Sequence, residues 1–314
     1  RIEPFEHFYM HPATMVLHYG QSVFEGMKAS KSHDGKPLFF RPERHAARLN
    51  NSAARLCMPA FPEELFLEAL HELVGLDSGW IPPQEGSALY IRPFMFAMDE
   101  FIGVKPSDTY RFLIFTGPVG PYYARPVSLW VEQEYVRAVR GGTGEAKAAG
   151  NYAASLLPAE KAAERGYDQV MWMDAHEFKY IEEVGTMNIF FVIDGKVITP
   201  AASGSILRGI TRDSVMTILR DKGYEVEERR ISIDEVVDAS RAGVLQEVFG
   251  TGTAAVVAYV DKIGYGDLEI VLPEIGEDAV GKLVKREIDG LRAGKIEDTR
   301  DWIVPVKSQA TVNA

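Results

Sequence analysis

The sequence has 314 residues, 46% hydrophobic and 25% charged, with a formal net charge of −11. A chain of that size and apolar content can bury two domain cores, so a disordered protein is excluded. The acidic balance argues against nucleic-acid binding and against an anionic membrane surface, both of which need clustered Lys and Arg. It still allows a small anionic ligand held by local cations.

No apolar run approaches the ~18 residues of a membrane span. The single cysteine, Cys57, rules out an intramolecular disulfide and a cysteine zinc site and suits a reducing, cytoplasmic setting. It reads as a small buried hydrophobe. The seven histidines show no metal-ligand spacing, and no metal is expected; His45 and His71 fall on helices and read as surface residues.

In chain order, "KPLFFRP" (36–42) predicts a strand and "ERHAARLNNSAARL" (43–56) a helix. "PEELFLEALHELVGLD" (62–77) predicts a second helix with Phe66, Ala69, Leu70, Leu73 and Val74 on one stripe. Strands follow at 88–96 and 110–117. "GPVGPYYARP" (117–126), with three prolines and two glycines, reads as a linker between a small N-terminal domain (1–116) and a larger C-terminal domain (127–314).

Beyond it, the alanine-rich run from about Tyr152 to Arg165 predicts one helix. "QVMWMDA" predicts a strand, and "NIFFVIDGKVITP" a hairpin whose Asp194-Gly195 pair suits a type I′ turn. Helices are predicted at 211–223, 233–240 and 278–291, and there is no internal repeat. Hairpins mixed with helices point to an α+β or mixed α/β fold.

Three stretches carry possible chemistry. In "ILRGITRDS" (206–214), Gly209 precedes a helix whose first amides, at Ile210 and Thr211, can face an anion. "EVFGTGTAAVV" (247–257) can form an anion-binding nest. It also matches the weak dinucleotide pattern G-x-G-x-x-A, but β-prone residues stand where that fingerprint needs a helix, which counts against a nicotinamide dehydrogenase. Taken singly, each glycine stretch reads as a turn before it reads as a ligand site.

In "GGTGEAKAAGNYAAS" (141–155), Lys147 stands among small residues. A sheltered lysine can bond covalently to an aldehyde cofactor, given an anion seat, an acid for a pyridine nitrogen, found in "EEVGTMN" (182–188), and a hydroxyl, found in Tyr152. The bland readings remain beside these: Arg48 as a solvated helix arginine, Glu183 as a cap, and Tyr19, Phe24 and Tyr90 as core or interface aromatics.

"LHYGQSVFEGMKA" (17–29), "LYIRPF" (89–94), "GTGEAKAAGNYAAS", "EEVGTMNIF", "GSILRGITRDSV" and "EVFGTGTAA" occur in an order and spacing that closely resemble the branched-chain amino-acid aminotransferases. These are pyridoxal-phosphate enzymes of fold type IV, the D-amino acid aminotransferase-like fold, with the cofactor between two domains. The likeness runs from about Pro4 to "DWIVPV".

The resemblance implies that Lys147 is the catalytic lysine, covalently linked to pyridoxal 5′-phosphate and shuttling the substrate Cα proton. It implies Glu183 at the pyridine nitrogen, Tyr152 at the phenolate oxygen with Asn188 nearby, and Arg48, Ile210, Thr211 and Thr253 at the phosphate, with Gly252 beside them. Leu207 would pack on the ring and Thr186 lie close to the reacting atoms. Tyr19, Phe24, Tyr90, Arg92 and Val119 would shape the substrate pocket, some of them from a partner subunit, and the amides of Thr253 and Ala254 would hold the α-carboxylate. The implied reaction is ping-pong transfer from L-leucine, L-isoleucine or L-valine to 2-oxoglutarate by a homodimer, with a D-amino-acid or amine transaminase or an aminodeoxychorismate lyase as alternatives.

Arg208 stands where many relatives carry proline, and Ala255 and Ala258 stand where longer forms carry a redox-active cysteine pair. The resemblance also leads one to expect a preceding N-terminal stretch that supplies an aromatic pocket residue.

Overall fold

The structure is a computed structural model describing residues 1–84, 86–120 and 125–307. It comprises two compact units, the first of residues 1–121, 146–150 and 289–314 and the second of residues 122–145 and 151–288. Residues 146–150 and 289–314 thus cluster with the first unit, where the linker-based division assigns them to the C-terminal domain. Of the expected linker, residues 117–119 instead complete a strand, Tyr110–Val119, and positions 121–124 lie outside the described residues.

The first unit is built from α1 (Met15–Tyr19), β1 (Ser22–Phe24), β2 (Met27–Lys31), β3 (Pro37–Phe40), α2 (Pro42–Arg55), α3 (Glu63–Asp77), β4 (Ala88–Ala97) and β5 (Tyr110–Val119). β5 pairs with β4 along its full length, from Ala88↔Val119 to Ala97↔Tyr110. On the other edge of β4, β1 takes Phe94–Phe96 and β2 takes residues 89–91, so these two short strands lie in line with Glu25 and Gly26 at the break.

α2 starts with Pro42 in its first turn, where a missing N–H costs nothing. It buries His45, Ala46, Leu49, Ser52 and Ala53, the i, i+1, i+4, i+7, i+8 positions of one face. α3 buries Phe66, Leu70 and Val74, so the predicted stripe is real, with Ala69 and Leu73 at its margins. These faces close on Val23, Met27, Phe39 and Ile91, and each large side chain so enclosed contributes on the order of 1.5–3 kcal/mol.

The second unit holds β6 (Val127–Val131), α4 (Ala149–Ala153), α5 (Leu156–Glu164), β7 (Gln169–Met173), β8 (Ile181–Val184), β9 (Asn188–Ile193), β10 (Lys196–Pro200), α6 (Ile210–Asp221), β11 (Val226–Arg229), α7 (Ile233–Arg241), β12 (Leu245–Gly252), β13 (Val256–Tyr265), β14 (Leu268–Val271) and α8 (Val280–Arg292). α4 and α8 straddle the division between the two units. The sheet runs β11-β10-β9-β12-β13-β6-β7-β8, with β14 on β13. It is mixed: β10–β11, β13–β6 and β6–β7 are parallel, and the remaining pairs antiparallel. β7 and β9 are buried almost without interruption, which explains their continuous apolar runs: both faces of these strands are covered. From the C-terminal end, β15 (Ile303–Pro305) returns to pair with β3 in the first unit.

The Asp194-Gly195 hairpin forms as predicted, with positive φ at both residues (48° and 76°), as a type I′ turn requires. Three expectations fail. The single helix from Tyr152 to Arg165 is two helices, because Pro158 is tolerated only in a first turn and α5 therefore starts afresh at Leu156. Cys57 is exposed, not buried; it follows the C-cap of α2 in the left-handed region (φ 54°), where the chain turns outward. His45 is not at the surface but 3% exposed, because a carboxylate from 20 residues earlier reaches it.

Candidate active site

In the first unit, Lys147 sits between Ala146 and Ala148, each 4% exposed, so the small neighbours are there because larger side chains would not fit. The Lys147 backbone is pinned on both sides: its N–H donates to Ser52 Oγ (2.9 Å) and its carbonyl accepts from Phe24 N (3.0 Å). Its Nζ lies 4.8 Å from the centroid of the Phe24 ring, within cation–π range. The Arg92 guanidinium lies 4.7 Å from the same ring and donates to the Tyr90 hydroxyl at 2.8 Å. Tyr90 and Arg92 are two apart on β4 and so share a face.

His45, Arg48 and Ser52 lie on one side of α2. The Ser52 hydroxyl donates to the Arg48 carbonyl at 2.9 Å while accepting from Lys147. Arg48 grips Glu25 with two donors, Nε to Oε1 at 2.6 Å and Nη2 to Oε2 at 2.8 Å, and His45 Nδ1 meets Oε2 at 2.7 Å. Burial alone would raise the Glu25 pKa, but the Arg48 charge and hydrogen bonds, followed by His45, outweigh it and hold the carboxyl well below its usual range. Burial lowers the His45 pKa despite Glu25, so the imidazole is neutral and Nδ1–H is the donor. Tyr19 ends α1, exposed, and Val119 ends β5; neither takes part in these contacts.

In the second unit, Glu183 on β8 is 3% exposed. Its Oε1 accepts from Leu207 N at 2.6 Å and from Asn188 Nδ2 at 3.4 Å, and its Oε2 lies 3.0 Å from Arg137 Nε. Arg137 Nη2 also donates to the carbonyls of Gly144 (3.1 Å) and Ser205. The adjacent Glu182 is tied to Ser205 Oγ, and burial raises its pKa. Of the two neighbouring glutamates, Glu183 is the one in ion-pair contact with Arg137.

Asn188 also donates to the Leu207 carbonyl (2.9 Å), which fixes the loop leading into α6. A Cβ on Gly209 would come within 2.0 Å of Asn188 Oδ1, so the N-cap must be glycine for the loop to close this tightly. Gly209 offers no side chain to the first-turn amides at Ile210 and Thr211, which remain an anion seat by their geometry. Directly across the ladder from Asn188, the Thr251 hydroxyl is buried without a hydrogen-bond partner.

Gly252 ends β12, and Thr253 and Ala254 form the half-buried turn into β13. That turn closes with a Val257 N to Ala255 O bond (2.8 Å) over Val256 at φ 62°, a γ-turn-like and strained conformation for a β-branched residue. A strand follows it, so the helix required by a dinucleotide loop is absent at this position. Tyr152 is half-buried on α4, and Thr186 is exposed in the turn between β8 and β9.

Sequence reasoning thus named Glu183, Asn188, Leu207 and the start of α6, which meet in one unit, and Lys147, Phe24, Tyr90 and Arg92, which meet in the other. It missed Arg137, Glu25, His45 and Ser52, whose partners lie far away in the chain. Among the described residues, no group of three or more His, Cys, Asp or Glu could hold a metal ion. No helix among them is long and apolar enough to cross a membrane.

Residues 22–263 match the family model described as amino-transferase class IV. The chain is 51% identical over 311 residues to "Branched-chain-amino-acid aminotransferase 2" of Bacillus subtilis, covering 98% of this chain and 85% of that protein. A solved structure of the T.th. branched-chain amino acid aminotransferase with pyridoxamine 5′-phosphate is similar at a TM-score of 0.82 and 29% identity, covering 97% of this chain and 96% of that one. The same enzyme complexed with N-(5′-phosphopyridoxyl)-L-glutamate gives 0.81 and 29%, with the same coverage. A family model over most of its length, a relative sharing half its residues, and fold neighbours across nearly the whole chain establish that this protein belongs to the class IV aminotransferases and has fold type IV.

Proposed function

We propose that this chain is a branched-chain amino-acid aminotransferase that uses pyridoxal 5′-phosphate to pass the amino group of L-leucine, L-isoleucine or L-valine to 2-oxoglutarate. The observation that carries the reading is the arrangement in the second unit: a buried carboxylate, Glu183, holds the Leu207 amide just three positions before the helix whose first amides can face an anion. That donor set fits a pyridine ring bearing a phosphate, because one end needs an acceptor for a ring N–H and the other needs N–H donors and a hydroxyl. The orphaned Thr251 hydroxyl on the same face as Asn188 is a further polar group suited to such a ligand.

Bound pyridoxal phosphate supplies an aldehyde that captures amines and a ring that draws electron density from the substrate Cα. In this reading Lys147 Nζ takes the proton from Cα and returns it, and the backbone pins at Ser52 and Phe24 keep its reach constant. Glu183, 3.0 Å from Arg137 Nε, would accept from the ring nitrogen. Tyr152 donates to the ring oxygen. Arg48, Ile210, Thr211 and Thr253 hold the phosphate, with Gly252 beside them and Leu207 against the ring. Thr186 lies near the reacting atoms, and the amides of Thr253 and Ala254 hold the α-carboxylate.

Tyr19, Phe24 and Val119 select an apolar side chain, a preference that gives only ~1–3 kcal/mol per methylene among leucine, isoleucine and valine. The Arg92–Tyr90 pair receives the second carboxylate of glutamate or 2-oxoglutarate. The assembly is a homodimer and the setting the cytoplasm; an active monomer in sedimentation would contradict the first.

The direct test is turnover of L-leucine with 2-oxoglutarate, measured as glutamate formed. Activity confined to D-alanine or an aryl amine, or pyruvate release from aminodeoxychorismate, would move the assignment to another fold-type IV activity.

A further inference from the structure

Glu25 and His45 have no part in the roles above, yet they form a buried polar cluster in the first unit. Glu25 is 0% exposed at the break between β1 and β2, with its backbone N–H on the Pro93 carbonyl at 2.7 Å. Four donors converge on its carboxylate: Arg48 Nε, Arg48 Nη2, His45 Nδ1 and, at 3.3 Å, Gly26 N. Packing gives no reason for such a group, since replacing a buried ion pair by apolar residues of equal volume is often neutral or stabilising.

The arrangement does fix a plane. An arginine side chain otherwise samples many rotamers, and its fork has five N–H donors, of which Glu25 takes one on Nε and one on Nη2. Held at two of its nitrogens by one carboxylate, the guanidinium has a fixed plane. Ser52, one turn further along α2, ties the Arg48 carbonyl to the backbone of Lys147, so the guanidinium and the lysine share one rigid mount. His45, three residues before Arg48, donates to the Glu25 oxygen that Nη2 also uses and keeps the carboxylate from rotating.

We propose that Glu25, backed by His45, is a positioning residue that holds the Arg48 guanidinium in the orientation that receives the cofactor phosphate. The proposal rests on the reading of Arg48 as a phosphate ligand. It assigns Glu25 no contact with cofactor or substrate: its effect passes entirely through Arg48.

The test compares two ligands that differ only in the phosphate. Full-length apoprotein is titrated with pyridoxal 5′-phosphate and with pyridoxal, and binding is read as quenching of intrinsic fluorescence. Glu25→Gln, close to isosteric, is expected to lower the preference for the phosphorylated ligand by about tenfold or more, while affinity for pyridoxal stays within about threefold. Arg48→Gln is expected to lower the preference at least as far.

Equal weakening toward both ligands in Glu25→Gln means a general structural role and overturns the proposal, as does an unchanged preference. If Arg48→Gln leaves the preference unchanged, the phosphate role of Arg48 fails and the clamp with it. If Arg48→Gln lowers the preference and Glu25→Gln does not, the clamp alone fails. Should Glu25→Gln not fold, Glu25→Asp keeps the charge, shortens the reach and carries the same expected loss of preference.

Discussion

Removing Arg137 tests how much its charge stabilises the Glu183 carboxyl group buried inside the second unit. The pair is 3.0 Å apart with side chains 9% and 4% exposed, so Arg137→Met takes the arginine charge away from a buried carboxyl group at nearly constant volume. Deleting one partner of such a pair costs about 3–5 kcal/mol. The Nε–H is close to Oε2 yet not aligned for a hydrogen bond, which places the effect near about 3 kcal/mol, with the lost Gly144 and Ser205 carbonyl contacts included. The double variant Arg137→Met/Glu183→Leu removes both charges and should recover to within on the order of 1 kcal/mol of the parent. Urea unfolding of the four proteins gives the coupling directly, expected at about 2 kcal/mol or more. Strictly additive single effects, or an Arg137→Met cost under about 1 kcal/mol, would refute the claim that this arginine stabilises the carboxylate.

Gly209→Ala should weaken cofactor binding more than it weakens the fold. Its φ of −65° suits alanine, so the fold gains roughly 0.4–1 kcal/mol from a stiffer unfolded chain, while displacing Asn188 from 2.0 Å costs about 1–3 kcal/mol. Unchanged affinity for pyridoxal phosphate in this variant would mean the α6 loop is not the seat assigned to it. Stability should also fall on the acid side. Glu25 and His45 both have depressed folded pKa values, so each binds a proton more readily when unfolded. The His45 part is present above about pH 6.5 and declines below it, and the Glu25 part declines further below about pH 4.3. His45→Gln should therefore flatten the change in urea midpoint between pH 7 and pH 5, and an undiminished slope would show that His45 is not buried in its neutral form.

Much of the fold was legible because it is local. The α2 and α3 faces follow from spacing, the Asp194-Gly195 turn from left-handed tolerance, and the start of α6 from Gly209 and its two following amides. Pro158 was equally visible and should have split the alanine-rich helix, since only a first turn accepts it. A candidate site could be proposed from sequence where one segment groups its own residues, as with Lys147 among alanines.

Contacts made by pairing across the chain were illegible. Nothing beside Arg137 announces Glu183, 46 positions on, and nothing beside His45 announces Glu25, which turned an apparent surface histidine into a buried donor. Glycine, proline and helical period report on a residue's own backbone. A buried ion pair reports on topology, here the in-line break of β1 and β2 against β4 that brings Glu25 inside.

The account depends most on which amine receives the cofactor. Reduction of the protein with borohydride in the presence of pyridoxal phosphate, followed by peptide mass analysis, should leave the phosphopyridoxyl mass on Lys147 and nowhere else, and Lys147→Ala should abolish the adduct. An adduct on another of the chain's lysines, or one that persists undiminished in Lys147→Ala, would contradict the account.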